Sequence, residues 1–269
     1  MAILTNISEA HTDFMKTYEH YTEVKRKLFK NQDKQDVAIL NLGNDESIRI
    51  TKGISSTVKY FSSKGEINGA YIKDGAIYYY DELVVRLKDI RLIGMHNYEN
   101  IMAAIMAVKE YQVSNQAIQE VLKEFNGVEH RLEFVAEVAG RKFYNDTEAT
   151  NIKCCQIALS SFQEPVILFL GGLERGQDFT ELKDYMAPVK AILAIGECRE
   201  RVKQFGEQLG IPTYEFEFLK DAMPKAWEIS TNGDIILLSP ASASWDQYKQ
   251  CEDRGAEFKA FVHSLQKNN

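Results

Sequence analysis

The residue types best able to do chemistry collect within 130–151, in the run HRLEFVAEVAGRKFYNDTEATN. A His130-Arg131 pair opens it, two strand-like segments follow at 132–138 and 142–144 with Gly140 between them, and a polar knot closes it, Asn145-Asp146-Thr147-Glu148-Ala149-Thr150-Asn151. A polar knot between a strand and a helix is where an α/β sheet receives ligands, because unpaired N–H groups at a helix N-terminus attract anions. Arg131 offers a planar fork suited to phosphate or carboxylate, and Asp146 an acceptor for hydroxyl groups. By spacing alone, the same stretch also suits an ordinary loop with capping residues.

Four other groups carry chemical potential. His11 and Lys25, in NISEAHTDF and YTEVKRKLF, read by themselves as a loop histidine and a solvated helix lysine. Asn97 and Asn100 stand in HNYEN at the start of a helix, where Asn97 serves equally well as an N-cap. GGLERG (171–176) and SPASASWDQY (239–248) each follow a strand-like run and so belong at the carboxyl edge of a sheet. Their plainer readings are a strand-to-helix turn, turn serines at Ser242 and Ser244, and a core Trp245. No G-x-x-x-x-G-K-[ST] occurs, and GGLERG is neither a Walker A nor a Rossmann fingerprint.

These groups need elements to hold them. A strand at 3–7 precedes a helix at 17–29 with Tyr18, Tyr21, Val24, Lys25 and Leu28 along one face. Strands are expected at 37–41, 48–51 and 58–61, then a hairpin of 68–72 and 76–80 about Asp74-Gly75. HNYEN leads into a helix to 111. A second helix at 115–125 presents Ile118, Val121, Leu122 and Phe125 and ends at Gly127. Beyond 130, apolar strands at 166–170, 191–195, 213–216 and 235–238 alternate with helices at 151–161, 180–186, 198–209, 219–228 and 253–265. That alternation predicts a parallel, doubly wound sheet. A boundary at 127–130 divides the chain into 1–127 and 128–269.

A chain of 269 residues, 45% hydrophobic and 26% charged, suits one large or two medium soluble domains. The net charge of −7 argues against a broad nucleic-acid or anionic-membrane surface. Four cysteines without a C-x-x-C pair point to a reducing, cytoplasmic setting. The N-terminal MAILTNISEAHTDF lacks a basic signal-type start, and the strongest apolar run, 166–170, is too short to span a bilayer.

HRLEF…YNDTEATN resembles the junction at which the C-terminal domain begins in the Mur ligases, ATP-dependent amide-bond-forming enzymes of peptidoglycan synthesis. LLSPASASWDQY is closely similar to that family's LLSPACASxDQF segment, with the strongest likeness to the D-glutamate-adding branch. The resemblance implies an α/β chain: the C-terminal part of a central ATP-binding domain in 1–127, then a Rossmann-like, mostly parallel, doubly wound amino-acid-binding domain in 128–269. It implies that Asn97 and Asn100 reach the nucleotide, with Arg131 near its phosphates and Asp146 near its ribose. NISEAH…VKRKLF is similar to the segment in which a histidine binds a second Mg²⁺ and a lysine is carbamylated, which here implies His11 and Lys25. A carbamate is a hard anionic oxygen ligand, whereas an ammonium cannot coordinate Mg²⁺. Thr150, Arg175, Ser244, the Trp245 backbone and Cys251 are implied to hold D-glutamate, although the family commonly has an aromatic at the Cys251 position. The implied reaction activates UDP-N-acetylmuramoyl-L-alanine as an acyl phosphate, in a cytoplasmic monomer serving cell-wall biogenesis, cell shape and division.

Two departures stand out. Glu148 occupies a position where relatives carry lysine, and unless it pairs with Arg175 or Mg²⁺ it is expected to weaken acyl-phosphate stabilisation. The P-loop and the UDP-sugar-binding domain, which the family places upstream of NISEAH, are not among these residues, so Met1 reads as an internal start of a truncated form. Two other readings stay open: a Mur or folylpolyglutamate-synthase-like ligase with another acceptor, and an inactive fragment that only binds D-glutamate or a partner.

Overall fold

The structure, a computed structural model, describes residues 1–7 and 17–268, so His11 lies outside the described residues. The chain divides into two compact units, Met1–Phe125 and Asn126–Asn269.

The first unit runs β1 (Ala2–Leu4), α1 (Tyr18–Arg26, continued by a 3-10 turn Lys27–Phe29), β2 (Val37–Asn41), α2 (Asp45–Ile50), β3 (Thr57–Ser62), β4 (Gly69–Lys73), β5 (Ala76–Tyr79), β6 (Glu82–Arg86), α3 (Met95–Lys109) and α4 (Asn115–Glu124). Its sheet has the order β1-β2-β3-β4-β5-β6, parallel through β4 and antiparallel thereafter. Alternation along β2 sends Ala38 and Leu40 into one cluster with Tyr21, Phe29 and Ile50. Ile39 points to the other face, under Ile101, Met102, Ile105 and Met106 of α3. The β4–β5 turn takes Asp74 and Gly75 at φ 49° and 70°, the left-handed pair that a two-residue hairpin requires.

Residues 48–51 are not a strand. The Asn44 side chain accepts from the Ser47 N–H at 2.8 Å and Asp45-Glu46 fill the first turn, so the cap starts a helix through the β-branched run. The edge strand β6 went unread in the sequence, and its carbonyls at Leu83 and Val84 accept from the side-chain amides of Asn115 and Gln119. Leu28, Val121 and Phe125 are exposed; Tyr21 and Thr22 of α1 and Ile118 and Leu122 of α4 are the buried positions. Helix α4 ends on an extended Phe125, which leaves Gly127 beyond the cap.

The second unit runs β7 (Glu133–Val138), β8 (Arg141–Asn145), α5 (Ile152–Leu159), β9 (Val166–Gly171), β10 (Val189–Ile195), α6 (Arg199–Gln208), β11 (Thr213–Glu215), α7 (Leu219–Ile229), β12 (Ile235–Leu238) and α8 (Cys251–Asn268). Residues Phe179–Tyr185 form a 3-10 helix where an α-helix was expected; Asp178 caps it by accepting from the Thr180 N–H. The sheet order is β11-β10-β9-β12-β8-β7, all parallel except β7, which pairs antiparallel with β8. Ile167, Phe169, Leu193 and Ile236 pack on one face beneath Leu219, Met223, Phe258 and Val262. Gly206 of α6 sits against Ile192 and Thr213 on the other, where an added Cβ would stand 3.2 Å from the Ile192 side chain. Helices therefore cover both faces, and the sheet is doubly wound as expected. Among the described residues, no helix is long and apolar enough to cross a membrane.

Candidate functional site

In a parallel sheet the strands end together, and here the chain leaves β8, β9, β10 and β12 on one edge of the second unit. The loop after β8 is fastened first. Asp146 accepts from the Leu132 N–H at 3.0 Å and from the Ser239 hydroxyl at 2.7 Å, joining the ends of β8 and β12 to the His-Arg segment. Burial pushes its carboxyl up to about 6, against the lowering effect of those hydrogen bonds. His130 and Leu132 flank Arg131 at φ 68° and 44°, a left-handed backbone that costs each about 1 kcal/mol or more. Glu133 holds the first by accepting from the His130 N–H at 3.0 Å, and Asp146 holds the second. Between them Arg131 reaches outward, its side chain 63% exposed.

Arg131 answers the charge of Glu148. Its Nη2 lies 3.3 Å from Glu148 Oε2, so the carboxylate pairs with Arg131 and not with Arg175. Cys251 Sγ approaches the other Glu148 oxygen at 3.6 Å and a Glu252 oxygen at 3.4 Å. Burial and these carboxylates push the Cys251 thiol up to about 11. The donor atoms of Glu148, Cys251 and Glu252 lie within 4.8 Å of one another, but a thiol with two carboxylates does not suit Mg²⁺, which takes oxygen ligands.

The loops after β9 and β12 interlock. Gly171 N–H donates to Pro240 O and Leu173 N–H to Ala243 O, each at 2.8 Å, and the Gln177 side chain donates to Ser242 Oγ at 2.6 Å. Gly172 is required at this crossing: at φ 149° its added Cβ would meet Ala243 O at 2.4 Å. The interlock buries Ser244 and leaves its hydroxyl without a hydrogen-bond partner. Trp245 is 63% exposed, so it is not core packing, and the Arg175 guanidinium lies over its ring at 4.6 Å. Thr150 is exposed at the same edge, beside Asn151, whose side chain caps α5 by accepting from the Cys154 N–H.

One residue that the sequence reading missed lies beneath these loops. Arg254, in the first turn of α8, is 1% exposed. Its Nε donates to Thr147 Oγ1 at 2.9 Å, and Nη2 donates to Thr147 O at 2.9 Å and Ser242 O at 3.1 Å, while Nη1 has no partner. Burial lowers its guanidinium to about 10.

The remaining residues belong to the first unit. Asn97 is not an N-cap: Gly94, at φ 94°, caps α3, and the Asn97 side chain donates to Ile93 O at 2.7 Å. Asn100 is exposed. Glu99, between them, accepts from Asn41 Nδ2 at 3.3 Å and from the Ser63 hydroxyl at the carboxyl ends of β2 and β3. Lys25 is exposed, with its ammonium 5.4 Å from the Tyr21 ring centroid. Thus Arg131, Asp146, Thr150, Arg175, Ser244, Trp245 and Cys251 share the second unit, and Lys25, Asn97 and Asn100 the first.

Comparison with known proteins follows the same division. Residues 1–108 match the Mur ligase middle domain and residues 130–242 the Mur ligase, glutamate ligase domain. The chain is 45% identical over 268 residues to the UDP-N-acetylmuramoylalanine--D-glutamate ligase of Geobacillus kaustophilus, and 43% identical over 267 residues to that of Bacillus subtilis. In each case 98% of this chain is covered but only 59% of the relative, so the chain spans about three fifths of the length of these proteins. Among solved structures it is similar to MurF from Acinetobacter baumannii (TM-score 0.71, 18% identity, 96% of this chain and 59% of that one). It is also similar to MurF ligase from Thermotoga maritima in complex with ADP (TM-score 0.68, 17% identity, 99% and 62%). At such identities these structures speak for the fold alone.

Proposed function

We propose, from the premise that the chain belongs to the Mur ligase family, that it carries the acceptor-binding unit and part of the ATP-binding unit of a ligase joining D-glutamate to UDP-N-acetylmuramoyl-L-alanine. The observation that carries the reading is the interlock of the loops after β9 and β12. It holds a buried, unpartnered Ser244 hydroxyl next to exposed Trp245, with Arg175 stacked on that ring. A hydroxyl, a guanidinium and the Thr150 hydroxyl at one sheet edge suit a small dicarboxylate, and the relatives at 43–45% identity bear the D-glutamate ligase name. Cys251, whose thiol lies 3.6 Å from a Glu148 oxygen, is assigned to the same acceptor.

In this reading the nucleotide contacts of the second unit are Arg131 and Asp146, and those of the first unit are Asn97 and Asn100. Arg131 exchanges its Glu148 partner for phosphate oxygens, a bidentate match for its fork. A substrate carboxylate oxygen attacks the γ-phosphorus, the bond to the β-phosphate oxygen breaks and ADP leaves, giving an acyl phosphate; the neutral D-glutamate amine then attacks that carbonyl carbon, and inorganic phosphate and the amine's proton are released as the amide forms. Mg²⁺, when bound, neutralises charge on the transferring phosphoryl group, and His11 with carbamylated Lys25 would hold it. The protein would act as a cytoplasmic monomer in building the cell wall.

Calorimetric titration of D- and L-glutamate into the 269-residue chain tests the acceptor pocket. Saturable binding of the D-isomer in preference to the L-isomer is expected; equal binding, or none, would overturn the reading. ATP hydrolysis by the same chain is a separate measurement, bearing on whether these residues suffice for turnover.

A further inference from the structure

We infer that Arg254 is a positioning residue: one buried guanidinium ties the loop after β8 to the loop after β12 and so fixes the geometry of the acceptor pocket. The inference deepens the proposed function and rests on it for the identity of the ligand.

Arginine is rarely fully buried without a counter-charge, because its charge leaves water at high cost. Arg254 is 1% exposed and, among the described residues, forms no ion pair; Asp246 influences it only from beyond ion-pair distance. If filling space were the whole requirement, an apolar side chain would serve as well or better. The guanidinium instead uses its fork. Nε and Nη2 both reach Thr147, and Nη2 also reaches Ser242. Nη1 lies against the third loop, 3.1 Å from where a Cβ on Gly172 would stand.

Each contact sits a few residues from a group assigned to the acceptor. Thr147 precedes Glu148 and Thr150, Ser242 precedes Ser244, and Gly172 precedes Arg175. Thr147 Oγ1 in turn donates to Cys251 O at 2.8 Å, returning the loop to the helix that carries Arg254. A planar fork can satisfy acceptors on two loops at once. A lysine ammonium, a single point charge on an unforked stem, cannot reproduce that geometry.

The test compares Arg254→Lys and Thr147→Val with the wild-type 269-residue chain by amide hydrogen exchange without ligand, followed by D-glutamate titration. Thr147→Val removes the hydroxyl that accepts from Nε and keeps the test decisive if Arg254→Lys does not fold. For either variant the expected result is exchange about tenfold faster or more across 146–151 and 239–248, wild-type rates in β9 and β10, and D-glutamate affinity lowered by a similar factor. Unchanged exchange in either loop of the folded variants would overturn the clamp. Uniformly faster exchange through the whole second unit would also overturn it, because Arg254 would then be core packing and no more. If the wild-type chain does not bind D-glutamate, the proposed acceptor fails, while the exchange comparison still decides whether Arg254 fixes the two loops.

Discussion

Replacing Asp146 by asparagine should make the second unit more stable relative to wild type as pH rises. The carboxyl is 8% exposed, and burial raises it from the ordinary 3.8 to about 6. The folded state therefore keeps its proton to higher pH than the unfolded chain, so protonation favours folding. That contribution is fully present below the ordinary aspartate value and is lost as pH climbs through about 6. A difference of about two pH units, at about 1.4 kcal/mol per unit, amounts to about 3 kcal/mol, of which about two thirds falls between pH 4.5 and 7.5. Asparagine has no such titration. Its amide can still accept from Leu132 but cannot accept from the Ser239 hydroxyl as Oδ2 does, which adds an offset that does not change with pH. The informative quantity is therefore the slope of the stability difference. Both tryptophans, Trp227 and Trp245, lie in the second unit, so urea unfolding followed by tryptophan fluorescence reads that unit alone. The variant-minus-wild-type difference should grow by about 2 kcal/mol from pH 4.5 to 7.5. A difference that stays flat would refute the argument, since it would mean that water reaches Asp146 and its carboxyl titrates as in the unfolded chain.

Three further outcomes follow from the same site. Glu148→Gln frees Arg131; because that arginine is 63% exposed, stability should change by less than about 1 kcal/mol, while affinity for ATP measured by calorimetry should rise a few-fold. Gly172→Ala places a Cβ 2.4 Å from Ala243 O, so it should destabilise the second unit by about 2 kcal/mol or more in the fluorescence assay and abolish D-glutamate binding. With its thiol pushed up to about 11, Cys251 should react with iodoacetamide at pH 8 about a hundredfold more slowly than an ordinary exposed cysteine, as followed by peptide mass.

What could be read from the sequence was what neighbouring residues decide. The glycines and serines after β9 and β12 marked loops at the carboxyl edge of the sheet because small residues there follow apolar strands, and Asp74-Gly75 marked its hairpin because few residues adopt a left-handed backbone. Residues 48–51 were misread because an alternating run with isoleucines favours a strand by propensity, and only the Asn44 cap turns it into helix. For Trp245 hydrophobicity left core packing open beside a place at the ligand edge, and its 63% exposure removes the core alternative. Glu148 lacked a visible partner because Arg131 is 17 positions away, on the far side of the β7–β8 hairpin. Arg254 gave no local sign at all. Its acceptors at Thr147 lie 107 positions upstream, and an arginine in the first turn of a helix ordinarily means a solvated charge.

The outer strands of the two sheets bear on how this protein behaves when crowded. At β6 the carbonyls of Leu83 and Val84 are already occupied by Asn115 and Gln119. Strand β11 offers only three residues, and Arg199 and Lys203 both flank its Glu215 at 3.4 Å. Strand β7 carries a bulge between Phe134 and Ala136, and Lys259 bridges Glu129 and Glu133 beside it. A strand from another molecule that approached any of these three edges would meet satisfied carbonyls, too short a ladder, or a kinked and charged border. The folded units therefore resist edge-to-edge aggregation at β6, β7 and β11, and do so through side chains that take no part in the proposed chemistry.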